Sequence, residues 1–234
     1  MTLQALGRPG DHRAYPRVTC TLPCAVTGLG DGRVLNVSDG GVARSLSLLV
    51  GTGDGSSGTV NVNGGRIELG GTVTSGPAAG SGGSFTVGRN GGTGTATFNN
   101  GAVLQISTTT AGASINAGGT SPAPGGTGTI NVLSGSLLSV SGPGATLRVG
   151  GQSSATAAGV GTLNLSGIGS GVFVLGNGAR ALIGATAGTV GTVNVGFGTT
   201  LWGSSLIGVA HDGTSNTGGS GTLVVNGVAN AANI

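Results

Sequence analysis

Six copies of one short pattern constrain the fold of this chain more than any other feature. Gly58-Thr59-Val60-Asn61-Val62 returns as Gly94-Thr95-Ala96-Thr97-Phe98 and as Gly128-Thr129-Ile130-Asn131-Val132. It returns again at Gly161-Thr162-Leu163-Asn164-Leu165, Gly191-Thr192-Val193-Asn194-Val195 and Gly221-Thr222-Leu223-Val224-Val225. The steps between the glycines are 36, 34, 33, 30 and 30 residues. Self-similarity at such a period marks a stacked repeat architecture. Leu35-Asn36-Val37-Ser38-Asp39-Gly40-Gly41 parallels Val60-Asn61-Val62-Asn63-Gly64-Gly65 and makes a degenerate first copy.

Two further marks lie between successive Gly-Thr strands. One is an apolar piece closed by glycine: Leu48-Leu49-Val50-Gly51, Phe85-Thr86-Val87-Gly88, Leu147-Arg148-Val149-Gly150 and Ala181-Leu182-Ile183-Gly184. Ile115-Asn116-Ala117-Gly118 and Ser205-Leu206-Ile207-Gly208 are weaker copies. The other is a shorter apolar piece, as in Arg66-Ile67-Glu68-Leu69, Leu104-Gln105-Ile106, Leu138-Ser139-Val140 and Val172-Phe173-Val174. Each unit is therefore three short alternating strands joined by Gly-rich turns. Helices are excluded by the glycine and β-branched content and by the lack of a 3.6-residue period. Three such strands cannot bury a core alone, but stacked on their equivalents they can. The fold expected is all-β: a right-handed parallel β-helix with three short strands per ~30-residue coil and six to seven coils.

Stacking assigns roles. Corner glycines accept positive φ. The segments Thr52–Ser57, Arg89–Gly92, Gly119–Thr127, Gly151–Val160, Ala185–Val190 and Val209–Ser220 vary in length and are expected as loops on one edge. Thr59, Thr95, Thr129, Thr162, Thr192 and Thr222 are expected to form one outward ladder, with Asn61, Asn131, Asn164 and Asn194 beside it. Coil lengths that vary from 30 to 36, and Val224 in the last copy, argue against a flat regular face. Trp202 and Phe197, in the Gly-rich piece Gly196–Gly203, are expected to fill gaps in the core.

Composition narrows the function classes. Glycine supplies 54 of 234 residues but follows no three-residue period, so collagen is excluded. Gly/Ser/Thr-rich chains often stay disordered; the recurring Val, Leu and Ile clusters favour ordered β structure here. All nine basic residues are scattered arginines, without the cluster that nucleic-acid binding needs. Five of the six acids lie within the first 68 residues, and after Glu68 only Asp212 remains. No apolar run is long enough for a transmembrane helix, and no membrane insertion by this segment is expected. Residues 1–30 differ from the rest and read as an irregular tail, ahead of a repeat domain over 31–234. Cys20 and Cys24 in that tail lack the partners a zinc site needs; they read as incidental thiols, with a local disulfide as the alternative.

The repeats resemble the passenger segments of bacterial autotransporters (type V secretion). The match runs from about residue 31 to 228 and is clearest at Gly58–Gly70, Gly128–Gly151 and Gly161–Gly208. The resemblance implies an extracellular or bacterial cell-surface location and a role in adhesion or autoaggregation. The partners it implies are a host-cell surface, a glycan or a second copy of the chain. No export signal and no C-terminal membrane barrel are seen, so the chain is expected to be a passenger fragment.

Chemistry is sparse. The repeat region offers His211, Asp212, Glu68, Asp54 and Asp39. His211 and Asp212 are adjacent, and a catalytic triad needs the acid to orient the imidazole from across a site; they read as loop residues. Arg66 and Glu68 share one strand face and read as a surface pair. The Gly-rich turns lack the Asp of calcium-binding nonapeptides, and no Lys follows them as in a phosphate loop. No cofactor, metal site or catalytic residue is expected, and the chain reads as a non-enzyme. Two rival functions are kept: an ice-binding solenoid using the Thr ladder, and a carbohydrate-active β-helix enzyme. Residues 31–234 should give a single far-UV circular dichroism minimum near the general β position (~218 nm) with a cooperative melt; a random-coil spectrum would refute the solenoid.

Overall fold

The computed structural model describes residues 33–70, 83–109, 112–119, 125–151, 159–211 and 219–233. The 1–30 tail, both cysteines and Asp212 lie outside the described residues. Among the described residues all regular structure is β, in coils whose strands fall into three columns. The first coil holds β1 (Arg33–Val37), β2 (Val42–Ser45) and β3 (Ser47–Thr52). The second holds β4 (Ser57–Asn63), β5 (Arg66–Gly70) and β6 (Ser84–Arg89). The third holds β7 (Thr93–Asn99), β8 (Val103–Ser107) and β9 (Ser114–Ala117). The fourth holds β10 (Thr127–Leu133), β11 (Leu137–Ser141) and β12 (Thr146–Val149). The fifth holds β13 (Val160–Ser166), β14 (Gly171–Leu175) and β15 (Arg180–Ile183). In the sixth, β16 (Val190–Val195) is followed by a single long strand, β17 (Thr200–Val209), and β18 (Ser220–Val225) and β19 (Val228–Asn233) begin a seventh.

Every named strand pair is parallel, and each joins equivalent strands of adjacent coils. The first column is a sheet of seven strands, β1-β4-β7-β10-β13-β16-β18. The other two columns run beside each other and merge where β17 pairs with both β14 and β15. The molecule is a parallel β-solenoid.

Alternation places one side chain in two inside. Val60, Val62, Ile130, Val132, Leu163, Leu165, Val193 and Val195 from the first column are at most 2 % exposed. They meet Ile67, Leu104, Leu138 and Val172 from the second column and Phe85, Ile115, Leu147 and Ala181 from the third. Phe85 and Phe98 pack edge to face across the interior, with ring centroids 5.8 Å apart, a favoured aromatic geometry. The second-column strands align as the sequence suggests: Ile67 pairs with Leu104, Leu104 with Leu138 and Leu138 with Val172.

One weak repeat does not align as expected. Ile207 stands opposite Ala181 and Val209 opposite Ile183, so Gly208 is a strand residue beside Leu182. Ala210 takes the corner place held by Gly184 in the previous coil: each donates its N–H to the last strand carbonyl of the coil before, Ala210 to Ile183 at 2.9 Å and Gly184 to Val149 at 2.8 Å. The cause is a shortened corner. Five residues separate Val174 from Arg180 in the fifth coil, but only Ser204 and Ser205 separate Gly203 from Leu206 in the sixth. A longer segment after Ala210 restores the 30-residue period and hides the change from a period count.

Length variation is also not confined to one edge. In the second coil the longest stretch of sequence between strands, from Gly70 to Ser84, falls between the second and third columns.

Two kinds of glycine hold the coils together. Turn glycines such as Gly101 take positive φ (74°) and face open space. Gly94, Gly128, Gly161, Gly191 and Gly221 of the Gly-Thr pairs instead avoid positive φ and lie against backbone. A Cβ on Gly161 would collide with Gly150 N and Ala117 O, and one on Gly191 with Val149 O and Gly184 N. Gly161→Ala should therefore cost about 3 kcal/mol as overpacking against rigid backbone, while Gly101→Ala should cost only about 1 kcal/mol of φ strain. Urea unfolding of the two variants measures this; equal losses would refute the distinction.

Candidate functional site

The feature with the most surface and the most regular chemistry is the outward face of the first column. Its rows follow from the strand period of two: when Val60 and Val62 go in, Ser57, Thr59, Asn61 and Asn63 go out. The six expected threonines are one continuous row. Thr59 pairs with Thr95, Thr95 with Thr129, Thr129 with Thr162, Thr162 with Thr192 and Thr192 with Thr222. Five are half-buried between their neighbours, and Thr222 at the open end is exposed.

The second row is Asn36, Asn61, Thr97, Asn131, Asn164, Asn194 and Val224. Its amides are linked along the stack. Asn61 Nδ2 donates to Asn36 Oδ1 at 3.1 Å, Asn164 Nδ2 to Asn131 Oδ1 at 2.9 Å and Asn194 Nδ2 to Asn164 Oδ1 at 2.8 Å. Asn131 Nδ2 reaches Thr97 Oγ1 at 3.5 Å, a weak bond at best. Asn36 and Thr97 belong to this ladder although the sequence reading left them out; their place in the register was the available signal.

A third row also went unrecognised in the sequence. Ser57, Thr93, Thr127, Val160, Val190 and Ser220 stand beside the threonines, and all six are exposed. Simple extension of the alternation by one step upstream of each glycine would have found it. From the second coil to the seventh, these three rows carry no charged side chain. Coil length does not disturb them, because the extra residues are taken up outside the strands. The register of the rows survives coil lengths of 30 to 36 residues, while Val224 breaks the second row in the last coil.

The second column carries a different surface. At the first coils it is charged. Glu68 Oε2 lies 2.6 Å from Arg44 Nε, and Glu68 Oε1 lies 2.7 Å from Arg66 Nε. Only the Arg44 contact is aligned as a hydrogen bond; Arg66 Nε approaches without one, while its Nη2 donates to Gln105 Oε1. The expected Arg66–Glu68 surface pair is thus a three-residue group. Both arginine side chains are at least 40 % exposed, and solvent-screened pairs contribute about 0–1 kcal/mol.

Toward the later coils the same column turns aromatic. Phe173 and Trp202 are register partners on its outward side, and Trp202 is 39 % exposed. Phe197, at the turn before β17, is 80 % exposed. Neither Trp202 nor Phe197 fills the core as expected. Trp202 sits at an outward position of its strand, and Phe197 is the tip of a Gly-Phe-Gly turn pointing away from the stack.

The acids of the described residues stand on separate elements. The described acids are Asp39 in the turn after β1, Asp54 in the turn after β3 and Glu68 within β5. Among the described residues, no three His, Cys, Asp or Glu side chains come together. His211 follows the Ala210 corner and is half-buried. Arg148, on the third column, donates Nη1 to Thr146 Oγ1 at 2.8 Å. Burial, and secondarily the neighbouring Arg180, hold its pKa below the ordinary arginine value.

No family model, no curated protein and no solved structure matches the chain.

The asparagine ladder is measurable. Asn164 accepts from Asn194 and donates to Asn131, so Asn164→Ala removes two bonds and should cost about 1–2 kcal/mol. Asn194→Ala removes one and should cost about half as much. Denaturant unfolding of both variants tests this, and equal or negligible losses would show that the ladder adds nothing to stability.

Proposed function

We propose that this chain is a non-catalytic, elongated stalk or adhesin segment of the autotransporter passenger type, working at the bacterial cell surface or outside the cell. The reading rests chiefly on one observation: an uncharged outward face of three residue rows that continues in register from the second coil to the seventh. Such a face suits attachment along its length to a host-cell surface, to a glycan or to a second copy of the chain. Rows repeat at the strand spacing of about 4.7–4.9 Å, so each coil adds the same contacts and the affinities of weak contacts combine. The placement of the described acids on three different elements supports a role without turnover. The resemblance of the repeats to passenger segments supports the location.

A second reading is favoured by one specific observation, the unbroken row of six threonines. A regular array of hydroxyl and methyl groups on a rigid sheet is the surface an ice-binding solenoid would present.

The two readings part in one set of measurements. Display of the chain on bacteria should increase cell aggregation or attachment to epithelial cells and glycan arrays. Thr95→Lys with Thr162→Lys, two strands apart on the face, should reduce that gain about tenfold while leaving the β spectrum intact. Thermal hysteresis of the purified chain should be absent. Measurable hysteresis lost in the same variant would replace adhesion with ice binding. A displayed chain that changes neither aggregation nor attachment would remove the adhesive reading.

A further inference from the structure

The third column ends at a corner in each of the first six coils. Those corners are Gly51, Gly88, Gly118, Gly150, Gly184 and Ala210, all with positive φ, from 52° at Ala210 to 102° at Gly150. Five are glycine for a reason beyond φ. A Cβ built on each would run into the start of the first-column strand two coils further on. At Gly51 it meets Thr93 O, at Gly88 Thr127 O and at Gly184 Ser220 O, all inside contact distance. At Gly118 it lies 3.0 Å from Val160 O, and at Gly150 it lies 2.9 Å from Val190 C. The space above these corners belongs to another strand.

Ala210 is the sixth corner and carries the methyl group that the other five positions exclude. It is otherwise equivalent: its N–H is bonded to Ile183 O, and Gly221 rests against its nitrogen as Gly191 rests against that of Gly184. Two coils beyond the sixth would be an eighth. We propose that Ala210 is a stop residue: its methyl occupies the place where the first strand of an eighth coil would lie, so coils cannot stack in this register beyond the seventh. The block acts equally on a following stretch of chain and on a second copy of the molecule docking end to end.

Leu223 and Val225 hold the core positions occupied by Val193 and Val195 one coil earlier. Val225 is 43 % exposed, whereas Val193 and Val195 are at most 1 % exposed. A single methyl group at a corner permits the seventh coil and refuses the eighth. The inference does not depend on adhesion or ice binding. It does direct any self-association to the sides of the solenoid, away from an in-register end.

Duplicating residues 190–219 within the chain tests the stop. The upstream copy of Ala210 then lies under a coil two further on. This duplication should melt at least about 6 °C below the same duplication carrying Ala210→Gly in its upstream copy. In the natural chain, Ala210→Gly should leave amide exchange of β18 unchanged or slower. Gly184→Ala, which puts the same methyl under Ser220, should speed β18 exchange at least tenfold. Duplications that melt together, or a Gly184→Ala chain whose β18 amides stay protected, would overturn the proposal. If both duplications fail to fold, the exchange comparison decides alone.

Discussion

The structure depends on backbone lying against backbone at one corner of every coil. From the third coil to the seventh, the glycine of the Gly-Thr pair rests on the corner that ends the previous coil and has no room for a side chain. This contact sets how the first strand of one coil follows the last strand of the coil before. With that fixed, the strand pairing, the Val/Leu/Ile columns inside and the Thr and Asn rows outside fall into line. A close approach of this kind is also unforgiving, since backbone cannot rotate away as a side-chain tip can.

Because the contact fixes the strands, the loops are free to differ. Insertions of several residues lie between Thr127, Val160 and Ser220 and the corners before them, yet those residues remain register partners of their neighbours. The solenoid therefore separates two properties that a sequence mixes: the regularity of a face and the regularity of the repeat length. Any recognition along the first column draws on the first property alone. The second column makes the opposite use of the scaffold, changing from Arg44, Glu68 and Arg66 at one end to Phe173 and Trp202 at the other on a single backbone geometry.

Much of this was legible in the chain. Period-two alternation within a thirty-odd-residue repeat gave the strands, their inward faces and the six-threonine row, because each signal is local and recurs. The sixth coil was misaligned because two length changes cancel in the period: a corner shortened before Leu206 and a longer segment after Ala210. Trp202 and Phe197 were misplaced because their size suggested burial, while strand phase and turn position decide exposure. The third outward row was missed only because the pattern was read as starting at its glycine. The sparsity of acids was visible in composition; that Asp39, Asp54 and Glu68 stand on different elements was not.

The sequence by itself determined the repeat, the strand phase and the identity of the side chains each row presents, since these follow from the chemistry of residues a few positions apart. Only the tertiary structure decided which residues of different coils stand side by side, and hence that the face is unbroken, that Ala210 occupies a glycine corner and that the aromatic residues lie outside. The physical reason is that these relations join residues some thirty or more apart, through loops whose lengths vary. Pairing between coils is settled by core packing and backbone contact across the stack, and neither is a property of any single stretch.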